Sequence, residues 1–197
     1  MTDLETKAYL YTRKTGADQA NLDKLARNQI TLNEETLMET DFKNISGMYR
    51  ANTDIISKAI ADVRPEDWFR KPGEDSNHMM WLLGHVIVHR AHVITSLGGQ
   101  WDRSWAPLFA RGAQRGDDAQ YPPVDEMLAA WNDISEQLKT TLRAASKDVL
   151  DQPAAEGPPS FDKKLSGTVA FFAFHDTYHT GQLSFLRKWL GYGQTVG

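Results

Sequence analysis

The chain has 197 residues, which suits one domain with a core large enough to need no disulfide. Hydrophobic residues make up 41% and charged residues 24%, which excludes a mainly disordered chain. Lys and Arg total 22 against 26 Asp and Glu, a net charge of −4 without the footprint of a general nucleic-acid binder, and cysteine is absent, which excludes disulfides, thiolate metal sites and a cysteine nucleophile.

Residues 1–13 carry Asp3 and Glu5 and no apolar stretch of signal-peptide length. The most apolar run, Met79 to Val88, is broken by Gly84 and His85 and falls far short of the ~20 residues of a bilayer span. The expectation is a cytoplasmic protein with no membrane partner. Residues 1–35 are polar and weakly patterned, and Leu22, Leu25 and Ala26 suffice for a helical turn or two. This stretch reads as an N-terminal extension that docks on the core or serves a partner chain, with disorder as the alternative.

Residues 36–197 read as one helical domain. From Thr36, Met38, Phe42, Ile45, Tyr49, Ile56, Ile60 and Val63 recur at helical spacing, and Pro65 stops the pattern. A second helix spans about Asn77 to Leu97, with Asp75 or Ser76 as its cap and Gly98-Gly99 at its end. Its nearly all-round apolar middle predicts burial in a bundle or an interface. A long loop from Trp101 to Tyr121 follows. A third helix from near Val124 carries Met127, Trp131, Ile134, Leu138 and Leu142 on one stripe. Ser166 is a candidate N-cap for the last helix, which ends at Leu190 before Gly191. Four long helices at this length predict an all-α four-helix bundle.

All six histidines fall on the second and fourth helices. His175 and His179 lie one turn apart on the same stripe as Val169, Phe172, Leu183 and Leu186, so both imidazoles point into the core. Burying them is costly unless their nitrogens are satisfied, and a divalent metal satisfies them. The run His-Asp-Thr-Tyr-His has no glutamate to serve as a zincin-type base. His85, in the most apolar part of the second helix, supplies a third ligand and leaves open coordination positions. His89, four residues on, is an alternative or fourth ligand. His78 and His92 read as structural or exposed. A haem bundle would need a wide pocket as well, and the sequence has no haem-attachment motif.

The segment Phe171-Phe-Ala-Phe-His175-Asp-Thr-Tyr-His179-Thr-Gly181-Gln182-Leu, followed by Leu186-Arg187 and Gly191, resembles the last helix of the DinB/YfiT-like family. Asn77-His-Met-Met-Trp81-Leu-Leu-Gly-His85 resembles that family's second helix. The resemblance covers about residues 37–191. It implies a DinB-like four-helix bundle with up-down-down-up connectivity, a homodimer, and one divalent metal held by three histidines, which map onto His85, His175 and His179. It says nothing about the N-terminal extension. Zinc is the first expectation, with nickel, manganese or iron open to imidazole ligands. Relatives in the wider superfamily include thiol-dependent transferases and isomerases. The implied partner is then a small molecule, such as a low-molecular-weight thiol, and not nucleic acid.

The expected function is a metal-dependent small-molecule enzyme, a thiol-dependent transferase or a hydrolase, which the sequence does not separate. The alternative is a non-catalytic, metal-stabilised binding or dimerisation module. Asp176 and Tyr178 sit off the ligand face, and Asp176 reads as a solvated surface acid. Gln182 lies near enough to the ligand stripe to hydrogen-bond a ligand or substrate. Trp101, Trp105 and Phe109 suggest either a lid or a satellite cluster. Arg111 and Arg115 are either contacts for an acidic substrate or solvated loop charges.

Overall fold

A computed structural model describes residues 19–113 and 117–196. The chain divides into two units, residues 1–44 and 45–197. Its long helices are α1 (Gln19–Ile60), α2 (Met79–Ser96), α3 (Val124–Ala144) and α5 (Leu165–Trp189), with a single turn, α4 (Lys147–Leu150), before the last. No strand occurs among the described residues; one isolated bridge pairs Pro153 with Lys164.

In the first unit the helix is already formed at Gln19, well before the expected start at Thr36. Its stretch up to Asn44 exposes Leu25 and Ile30. The weak apolar pattern there hid the helix, because periodicity reports a buried face and not helicity as such. Residues 1–18 of the proposed extension lie outside the described residues.

The second unit is the bundle. Tyr49, Ile56 and Ile60 on α1 face its core, and the helix stops at Ile60, with Val63 packed in the turn that follows. α2 is buried nearly all round, from Met79 and Met80 through Leu83, Ile87 and Ile94. α3 buries one stripe, Met127, Trp131, Ile134, Leu138 and Leu142, as its spacing predicts. Burying each such side chain stabilises the fold by roughly 1.5–3 kcal/mol.

Contacts between helices fix the connectivity. Tyr49 bonds the Val169 carbonyl, Asn52 bonds Thr177, and Asp62 pairs with Arg187, so α1 and α5 run parallel. The ring pairs His85–His179, His89–His175 and His92–Phe172 run in opposite order, so α2 is antiparallel to α5. Trp131 bonds Ser57, while Ser135 and Thr53 share Arg90, so α3 is antiparallel to α1. The result is an all-α bundle with the up-down-down-up connectivity that the resemblance implies.

Arg90 joins all four long helices. It pairs with Asp176 at 2.7 Å, donates to Thr53 and Ser135, and lies 4.2 Å over the Trp131 ring. The side chains of Arg90 and Asp176 are 1% and 2% exposed. Asp176 is therefore not the solvated acid read from the sequence. It faces α2, on the flank of the ligand stripe, where only an arginine partner makes a buried carboxylate tolerable.

Two helix starts also differ from expectation. The N-cap of α2 is His78, whose Nδ1 accepts the Trp81 backbone N–H at 3.1 Å, and not Asp75 or Ser76. α5 begins at Leu165, so Ser166 lies inside its first turn and donates to Asp162, which also accepts the Lys164 N–H. Gly191, at φ +92°, follows the end of α5 as expected of a C-terminal glycine.

Candidate metal centre

His85 is positioned by its neighbour. Gly84 has no side chain, and the Phe109 ring fills the space that a Cβ there would take. This close approach sets the Phe109 carbonyl 2.7 Å from His85 Nδ1. A carbonyl only accepts, so Nδ1 carries the proton and Nε2 is left with its lone pair. Trp81, one turn earlier, stacks on the same imidazole at 4.5 Å and 16°.

α5 supplies the facing pair. His175 Nε2 and His179 Nε2 are 3.1 Å apart. His179 Nδ1 lies 2.6 Å from Gln182 Oε1, so it donates there and leaves its own Nε2 unprotonated. The Gln182 amide N–H reaches the Tyr178 hydroxyl at 3.3 Å, and Tyr178 is exposed. The His85 ring is 5.1 Å from that of His175 and 4.9 Å from that of His179. His89 is 4.3 Å from both His85 and His175. One nitrogen from each of His85, His89 and His175 lies within 4.8 Å of the others.

The surroundings hold these rings neutral. Burial pushes His85 down to about 4, assisted by His179 and opposed by the Phe109 carbonyl. Burial, followed by the nearby imidazoles, lowers His175 to about 4 and His89 to about 2. His179 is lowered as well, with Gln182 opposing. Neutral imidazole is the form that binds metal.

The site also has unmet hydrogen-bonding capacity. Both nitrogens of His89 and Nδ1 of His175 are buried without a partner. Each unmet group costs about 1–3 kcal/mol. Neutral imidazoles converging from two helices, with two Nδ1 atoms tied to acceptors and orphaned nitrogens beside them, fit a divalent transition metal. The cluster can hold such an ion.

The sequence profile of the DinB superfamily matches residues 48–183, which include every histidine of this cluster. The chain belongs to the DinB superfamily. No curated protein matches it.

In this DinB protein the sequence-predicted ligands His85, His175 and His179 lie near one another, with His175 Nε2 and His179 Nε2 3.1 Å apart, but among the described residues the set whose nitrogens all lie within 4.8 Å of one another is His85, His89 and His175, with His89 and not His179. His85 and His179 are buried, and His175 is partly open. His78 caps a helix, and His92 is exposed, stacked against Phe172. Gln182 bonds a candidate ligand, one of the roles its position allows. Trp101, Trp105, Phe109 and Tyr121 form a continuous run of ring contacts at 5.4–5.7 Å, as a packed cluster would. Arg111 is exposed, and Arg115 lies outside the described residues.

Two contributors escaped the sequence reading. The Phe109 carbonyl carries no side-chain signature, although a glycine directly before a buried histidine hints at a close approach. Arg90 carries no sequence sign of its burial, because its partners Asp176, Thr53, Ser135 and Trp131 lie on three other helices.

Proposed function

We propose that this protein holds one divalent metal ion with His85, His175 and His179, and acts at that ion on a small molecule. The observation that carries the reading is the pair of anchored imidazoles. Phe109 and Gln182 fix Nδ1 of His85 and His179, which commits both Nε2 atoms as lone-pair donors. Zinc is the first choice, with nickel, manganese and iron also suited to imidazole. A bound ion would supply a Lewis acid that lowers the pKa of a water or a thiol. This chain's own residues hold and orient the ligands and exclude water through Trp81 and Phe109. The chain has no cysteine, so in a thiol-dependent transfer the thiol is a separate small molecule; hydrolysis is the other chemistry that suits the site.

A homodimer in the cytoplasm belongs to the same proposal. Phe174, Tyr178, Phe185 and Trp189 leave an exposed aromatic stripe along α5, which supports self-association. Among the described residues no helix is long and apolar enough to cross a membrane. A monomer by light scattering at micromolar concentration would remove the dimer from the proposal.

The test is metal analysis followed by thermal-shift screening with low-molecular-weight thiols. Wild-type protein should carry stoichiometric metal and His179→Ala should lose it; undiminished metal in the variant would show the wrong ligand set. A metal-dependent shift with one thiol supports transfer. Silence with every thiol, together with metal-dependent ester or amide cleavage, supports hydrolysis. The second reading, a non-catalytic metal-stabilised module, is favoured by His89, which stands where it can close the coordination shell.

A further inference from the structure

His89 is the least explained of the clustered imidazoles. Its ring is 4.3 Å from those of His85 and His175, and it stacks on Phe172 at 5.2 Å and 27°. A neutral imidazole always has one N–H to donate and one lone pair to offer. In His89 both are buried, and neither has a hydrogen-bond partner. An imidazole kept only for packing is better replaced by an apolar ring, because its unmet polar atoms are a continuing penalty. Beside three other imidazoles, a shared cation is what can use that lone pair.

The four rings have a definite order. His85 and His175 lie in the middle, each near both of the others; His179 flanks them on one side and His89 on the other. The two flanking rings differ in how they are held. His179 is oriented by Gln182, whereas nothing orients His89 through hydrogen bonding. Outer hydrogen bonds fix a ligand's direction and strengthen its bond to a metal. Of the two flanking rings, the unanchored one is therefore the more readily exchanged donor.

We infer that His89 is a fourth imidazole ligand to the same ion, and that it covers the coordination position an incoming small molecule must take. This rests on the metal-binding reading above and not on turnover. It makes a difference to that reading: with zinc bound, four imidazoles would fill a tetrahedral shell, and an anionic donor would have to displace His89 to enter.

The experiment uses the full chain loaded with zinc or cobalt(II). X-ray absorption of the zinc protein should show four imidazoles in wild type and three plus a light atom in His89→Gln. Zinc affinity of the variant should fall by at least the ~10-fold that loss of an outer partner costs. Azide, followed through the cobalt visible bands, should bind His89→Gln at lower concentration than wild type, because no imidazole has to leave. His89→Asn and far-UV circular dichroism check that the loss is not misfolding, and the wild-type absorption spectrum needs no variant.

Three imidazoles in wild type would overturn the inference. So would zinc and azide affinities that are the same with and without His89. His85→Ala should lose the metal whether or not His89 binds. Wild-type protein that takes up no stoichiometric metal would instead sink the underlying reading.

Discussion

Replacing Gly84 by alanine sets two opposed effects against each other. Alanine in a helix interior is favoured over glycine by about 1 kcal/mol. At this position the new methyl group would enter the space of the Phe109 ring. Phe109 is fully buried and wedged between Trp105 and Tyr121, so it cannot swing aside freely. Overpacking of this kind costs about 1–3 kcal/mol. Pushing Phe109 away also stretches its 2.7 Å bond to His85, worth roughly 0.5–1.5 kcal/mol. The balance is a net destabilisation of about 0.5–3.5 kcal/mol. His85 would lose its orienting acceptor as well, which should weaken zinc binding by about 10–100-fold. Urea unfolding of the metal-free protein reads the first effect, and a competitive zinc titration reads the second. A Gly84→Ala protein about 1 kcal/mol more stable than wild type, with unchanged zinc affinity, would refute the argument, because helix propensity alone would then be at work.

Two further perturbations probe the scaffold. Asp176→Ala leaves Arg90 buried without its counter-charge, and unfolding measurements should show a loss of about 3–5 kcal/mol; a change below about 1 kcal/mol would mean that water reaches the guanidinium. Asp67 tests pH dependence: hydrogen bonds from Arg70 and Tyr192 hold its carboxyl down at about 2, against an ordinary 3.8. The unfolded chain therefore takes up the proton first as pH falls, so the contribution of Asp67 is complete above pH 3.8 and is lost on the way to pH 2. The stability gap between wild type and Asp67→Asn should narrow across that window, and a gap independent of pH would rule the linkage out.

The helices of the bundle and all four clustered histidines, His89 as an alternative or fourth ligand, are legible in the sequence because they leave periodic traces. Met127 to Leu142 announces α3 through spacing alone, and His175 and His179 betray their inward direction by sharing a stripe with Leu183 and Leu186. What escaped depends on partners distant in the chain. Asp176 is one residue from a candidate ligand, and only the position of α2 decides whether it meets water or Arg90. Phe109 orients His85 through its backbone carbonyl, which every residue possesses, so that contact carries no signal in the sequence. The start of α1 was missed for the opposite reason: a helix with exposed Leu25 and Ile30 has no buried stripe to display.

The Arg90–Asp176 bridge stands immediately beside His89 on one helix and His175 on the other. Slipping either helix by a single residue would rotate its side chains, imidazoles included, by about 100° and break the bridge. The bridge thus acts as an indexing pin, setting the rotational phase of both helices from outside the imidazole set. Redesign can exploit this separation: aspartate or glutamate exchanged for one of the histidines would shift the preference toward harder cations, while alignment stays governed by residues left untouched.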